Sequence, residues 1–145
     1  MWNFHKKGYM LLEALVALSM VMVFITTALS IELSTLKLIK YDKKLENYMD
    51  IIDIIEASID NKYKYDEIEK LKESPIWYIN DDDLNYKSIE DRGFAEALNP
   101  IAFTPSNIAI DVSGEKILTV HIVARVKEGT RSEVLEHRCY KAQYK

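Results

Sequence analysis

From Tyr9 to Ile31 the chain is apolar almost without a break: 18 of 23 positions are hydrophobic, Glu13 is the single charge, and no Gly or Pro interrupts the run. At 1.5 Å per residue, 23 helical residues extend about 35 Å, enough to cross a hydrocarbon core of about 30 Å with modest tilt. A chain in lipid must satisfy its own backbone, so helix is the predicted conformation. Beyond Ile31 the composition changes but the period does not. Leu38, Tyr41, Leu45, Tyr48, Met49, Ile52, Ile55 and Ile59 recur at three and four residues with Lys, Asp and Glu between them. This predicts one continuous helix to about Ser58, amphipathic over residues 32–59. Some 75 Å of helix is too long for a small domain unless part of it lies in a membrane or a filament.

Residues 60–98 carry mixed signals. A short helix is expected at 65–73, a break at Pro75, a strand at 76–79, and a surface connector through Asp81, Asp82 and Asp83. Asp81, Asp83 and Asn85 are spaced like the opening of a calcium loop. Tyr86 stands where that loop needs Gly and Arg92 where it needs Glu, so a solvated acidic loop is the expectation.

After Pro105 the period becomes two. Residues 107–112, 116–127 and 130–141 read as three strands joined by turns at Ser113-Gly114 and Glu128-Gly129, an antiparallel meander. In the central strand Leu118, Val120, Ile122, Ala124 and Val126 share one face, which should cover the helix stripe. Thr119, His121, Arg125 and Lys127 point the other way. A three-residue loop would set His121 opposite His137. A Glu128-Gly129 turn instead pairs Ile122 with Leu135 and His121 with Glu136, and sends the histidines to opposite faces. We expect the latter, with structural or surface histidines and Cys139 as a packed small residue.

The totals describe neither half. A chain of 145 residues with 48% hydrophobic residues and a net charge of -4 resembles one soluble domain, yet it averages an apolar helix with an acidic α+β head. The totals do exclude a multidomain enzyme and a basic nucleic-acid binder, so no direct nucleic-acid binding is expected. One cysteine closes no intramolecular disulfide. There is no Gly-rich phosphate loop, no nucleophile with an evident base and no metal-ligand spacing, so neither an enzyme nor a cofactor or metal centre is predicted, and the expected role is structural.

Residues 1–8 are a short polar head with His5, Lys6 and Lys7, a positively charged flank of the kind held on the cytoplasmic side. Lys37, Lys40, Lys43 and Lys44 crowd the other flank, so basic residues alone do not set the orientation. Three readings compete. One is a signal anchor carrying an extracytoplasmic binding domain. Another is a secretory signal cut after Ser30, with Ala28 and Ser30 as its small residues. Neither gains from Glu13, whose carboxylate costs roughly 2.5–3.5 kcal/mol in a membrane helix. The third is a cut between Gly8 and Tyr9. It creates an α-amine four residues before Glu13, on the same helix face, and so supplies the counter-ion.

The run Lys6-Lys7-Gly8-Tyr9-Met10-Leu11-Leu12-Glu13-Ala14-Leu15-Val16-Ala17-Leu18 resembles the class III leader and N-terminus of type IV pilins and pseudopilins. The likeness combines a basic leader, Gly at the cut, an aromatic first mature residue, Glu at the fifth mature position and an unbroken apolar helix. It covers roughly residues 6–31. Many major pilins carry a helix-kinking proline where this chain has Ser30, and many close a C-terminal loop with a cysteine pair that Cys139 alone does not form. The wording is therefore closer to a minor pilin or pseudopilin.

The resemblance implies an α+β, pilin-like fold: a long N-terminal helix, transmembrane in its first half, on a three- to four-stranded antiparallel sheet. It implies cleavage after Gly8 by a membrane prepilin peptidase, N-methylation of Tyr9, and assembly through the helix with Glu13 paired to a neighbouring subunit's amine. Its implied partners are other pilin or pseudopilin subunits, the assembly platform of the cytoplasmic membrane, and lipid. The chain would start as a single-pass cytoplasmic membrane protein with its head outside, then join a pilus or a secretion or competence pseudopilus. Removing Lys6 and Lys7 from 19 basic side chains leaves 17 against 23 acidic, a mature charge of -6.

Overall fold

The computed structural model describes the backbone of residues 3–143 and the side chains of residues 9–143. It divides into two compact units, Met1–Tyr41 and Asp42–Lys145. A single helix, α1 (Asn3–Asn61), provides all of the described part of the first and opens the second. The first unit's described side chains are exposed from Tyr9 to Lys40.

The second unit is α+β. After α1 come a short helix α2 (Tyr65–Lys70) running into a 3-10 turn (Leu71–Glu73), strand β1 (Trp77–Asn80), a 3-10 turn (Asp81–Asp83), helix α3 (Tyr86–Arg92), a 3-10 turn (Phe94–Ala97), and strands β2 (Asn107–Ser113), β3 (Ile117–Glu128) and β4 (Arg131–Ala142). The strands form one antiparallel sheet in the order β1-β2-β3-β4. The fourth strand is the segment expected at 76–79, displaced by one residue.

Alternation makes the core. Leu118, Val120, Ile122, Ala124 and Val126 are all fully buried on one face of β3, as the period-two pattern predicts. Their cross-strand neighbours Ile108 and Ile110 on β2, with Ile79 on β1, extend that face. Residues 48, 51, 52, 55 and 59 of α1 return every three or four positions and bury their side chains against it. The helix ends under β4: Lys141 Nζ donates to the Ile59 and Asp60 carbonyls at 2.8 and 2.9 Å. That ammonium fills the place of the basic residue α1 lacks in its own last turn.

The β3–β4 register differs from expectation. Ile122 pairs with His137, not Leu135, and His121 pairs with Arg138, not Glu136. The turn is Gly129-Thr130 between the paired Glu128 and Arg131. Gly129 has φ +61° and, among the described residues, no non-glycine residue has positive φ, the pattern of a type II′ turn, which wants Gly first. Moving Gly from the second turn position to the first shifts every pair by two residues. Parity is preserved, so the faces stay as predicted.

The stretch expected as surface connector holds more structure than that. Asn85 caps α3, accepting from the Lys87 and Ser88 amides at 3.1 and 3.4 Å. Ile68, Ile89 and Phe94 are buried, and Phe94 packs against Tyr63 with ring centroids 4.9 Å apart.

Candidate functional site

Two places combine unusual chemistry with a defined geometry. The first is the exposed apolar helix. The described residues contain one helix long and apolar enough to cross a membrane, and none of its most apolar stretch is buried. Leu11, Leu12, Met22 and Phe24 are 62–71% exposed, and Tyr9 is 79% exposed. An exposed apolar helix of this kind is a candidate membrane anchor.

Its hydroxyls suit that surrounding. Ser19, Thr26, Thr27, Ser34 and Thr35 each donate to a carbonyl three or four residues back, at 2.7–3.0 Å. Bonded to the helix's own backbone, they leave no free O–H to be desolvated. Glu13 has no such recourse. It is exposed, and it lies one helical turn after Tyr9 on the same face. The backbone places Gly8, Tyr9 and Glu13 in order along α1. The side chains of the leader residues Lys6 and Lys7 lie outside the described residues.

The second place joins α1 to β4. Glu56, His137 and Cys139 bring a carboxylate oxygen, an imidazole nitrogen and a sulfur all within 4.8 Å of one another. Cys139 is packed, as expected, and only 3% exposed. Burial, and then the nearby Glu56 and Asp60 carboxylates, push its thiol up to about 12. The two histidines do take opposite faces. On the far face His121 lies 3.7 Å from Asp111 and 3.8 Å from Glu136. His137 lies 2.9 Å from Glu56. The strand pattern puts His137 and Cys139 on one face, where a structural or surface histidine and a packed cysteine were expected, and nothing in the helix pattern marked Glu56 as their neighbour.

The acidic turn is tied into the fold. Asp81 accepts from Lys44 Nζ and from the Tyr48 hydroxyl, both at 2.7 Å, and Tyr48 is fully buried. Asp83 accepts from the Asn99 amide at 3.3 Å, and Asn85 is occupied as the α3 cap. The expectation of a wholly solvated acidic loop is therefore corrected: this turn anchors β1 to α1. The three positions spaced like a calcium loop serve three separate internal contacts.

Comparison with protein-family models, with curated proteins and with solved structures finds no match to this chain.

Proposed function

We propose that the chain is a structural minor subunit of a type IV pilus or of a pilus-like pseudopilus of a type II secretion or competence system. It is stored in the cytoplasmic membrane with its head outside, cut after Gly8 by prepilin peptidase, and N-methylated at Tyr9. It then enters the filament through its N-terminal helix. The observation that carries this reading is the lone carboxylate of Glu13, one turn from Tyr9 on an exposed helix segment that is otherwise apolar.

Moving such a helix from lipid into a filament core of other apolar helices changes its apolar burial little, so burial does not choose its position. A charge pair does. The amine made by the cut and the Glu13 carboxylate of an adjacent subunit attract more strongly as water is excluded, and they fix the axial register. A pair worth about 1.4 kcal/mol shifts an equilibrium tenfold.

The mature N-terminus tests this. Intact mass and N-terminal sequencing of the protein from cells with and without a prepilin peptidase should show an N-methylated Tyr9 start only where the peptidase is present. A start at Ile31, or an uncut chain, would replace the reading with a secreted or signal-anchored domain. Glu13→Ala should still be processed but should enter filaments about tenfold less. Normal incorporation of that variant would remove the docking role.

A further inference from the structure

We propose that Glu56, His137 and Cys139 form a mononuclear site for zinc(II), which clasps α1 to the edge strand β4. The site goes beyond the assembly role of the N-terminal helix and does not depend on it.

The fold builds the site from two elements. His137 and Cys139 are alternate residues of β4, so both face α1, opposite Ile122 and Val120 of β3. Glu56 meets them from the helix, one position beyond the buried Ile55. Tetrahedral zinc with bonds of about 2.0–2.3 Å sets its ligand atoms roughly 3.3–3.6 Å apart. The observed limit of 4.8 Å is thus about 1 Å from closure, within reach of side-chain rotation. The Glu56 and His137 side chains are 40% and 37% exposed, which leaves them room to turn and leaves a fourth position for water.

The chemistry of the set selects the ion. One thiolate, one imidazole and one carboxylate make a soft to borderline donor set that suits zinc and disfavours magnesium and calcium. With a neutral imidazole the ligands carry two negative charges, matching the dication. Binding breaks the Cys139 S–H bond and forms an S–Zn bond. The proton leaves to solvent, and no electron is transferred.

A further feature points to a cation here. His137 Nε2 is sealed from solvent yet makes no hydrogen bond, although Glu56 Oε2 is only 2.9 Å away. A ligated metal would satisfy that nitrogen. Lys141, the nearest cation along the strand on that face, is already committed to the carbonyls of Ile59 and Asp60.

The test uses the full chain in detergent micelles, stripped with a chelator and titrated with cobalt(II), then zinc(II). The expected result is one equivalent of cobalt with a thiolate-to-cobalt charge-transfer band, displaced by zinc and not by magnesium or calcium. Zinc at about a hundred times its Kd should raise the thermal midpoint by roughly 10 °C. Cys139→Ala should abolish the band, and Glu56→Gln and His137→Ala should each weaken binding at least about tenfold. If Cys139→Ala does not fold, Glu56→Gln decides, because it keeps the shape of a half-exposed side chain. Absence of the band in the native chain, or binding within about twofold of native in both Glu56→Gln and His137→Ala, overturns the site.

Discussion

Residues 9–41 and residues 42–143 are both rich in aliphatic side chains, yet the two regions dispose of them in opposite ways. In the first, Leu15, Leu18, Val21 and Ile25 remain more than half exposed. In the second, Ile51, Ile55, Ile108 and Ile122 are fully buried. The difference lies in arrangement along the chain. Over residues 9–31 the first region is apolar around nearly the whole helix, so no single neighbour could cover it; the second sets apolar residues on one stripe or one strand face with charges opposite. Polar groups follow the same division. Ser19, Thr26, Thr27, Ser34 and Thr35 of the first region bond to carbonyls of the preceding turn, whereas Lys44, Tyr48, Asn80 and Lys141 bond across elements. One region completes itself, and the other requires surroundings.

The most severe test separates them. A chain lacking residues 1–41 should be water-soluble and melt cooperatively, while the full chain should sediment with membranes and resist an alkaline wash. Aggregation of the shortened chain would show that the head's core is incomplete alone. A single side chain sharpens the contrast. Ile55→Ala, in the buried stripe, should cost about 2–5 kcal/mol of unfolding free energy, and Leu18→Ala should change the head's stability by less than about 0.5 kcal/mol. Denaturant titration of both variants in the same detergent measures the difference.

The helix stripe shows how far sequence reaches. Tyr48, Ile52, Ile55 and Ile59 are buried as periodicity predicts, but Met49 is 46% exposed and Ile51 is fully buried. At about 100° per residue Met49 lies 100° round from Tyr48 and Ile51 only about 60°, so an ideal stripe through Tyr48 already separates them. Met49 follows Leu45 by a step of four, yet the summed angle from Tyr48 turns it off the buried face. Strand positions were legible to within a residue because alternation is local. Helix α3 and Phe94 were not, since a seven-residue helix has too little period to read and depends on the Asn85 cap and the burial of Ile89. Of the candidate sites, the Gly8, Tyr9 and Glu13 pattern is wholly local, whereas Glu56 meets Cys139 only across more than eighty residues of chain.

Alkaline titration probes the self-contained region alone. In the chain stripped of metal, Cys139, pushed up to about 12 by burial and then by Glu56 and Asp60, holds its proton more firmly folded than unfolded. The Tyr48 phenol is likewise raised, by burial first and then by its hydrogen bond to Asp81 and that carboxylate's charge. Above the ordinary thiol and phenol values the unfolded chain releases protons that the folded chain keeps. Their contribution to stability is therefore complete below about pH 9 and is lost as pH rises toward the folded values. The denaturant midpoint should fall progressively above about pH 9, and Cys139→Ala should flatten the first part of that fall. A midpoint that is level to about pH 11 in the native chain would show that neither group stays protonated for the reasons given.

The smallest effect concerns what makes the head self-sufficient, its strand register. Gly129→Ala places a Cβ at φ +61° with no atom within 4 Å, so only backbone strain opposes it, about 1–2 kcal/mol. At Gly114 a Cβ would overlap the Ile117 carbonyl, and the loss there should be larger. The alternative hairpin with Glu128-Gly129 as its turn keeps every side chain on its face but sets Leu135, not His137, opposite Ile122. Against it, the slide would carry Lys141 away from the Ile59 and Asp60 carbonyls and His137 away from Glu56. If these contacts to α1 hold the register, Gly129→Ala weakens the head while cross-strand NMR contacts still pair Ile122 with His137. If instead Ile122 then pairs with Leu135, the turn glycine sets the register, and β4 reaches α1 only because Gly129 begins the turn.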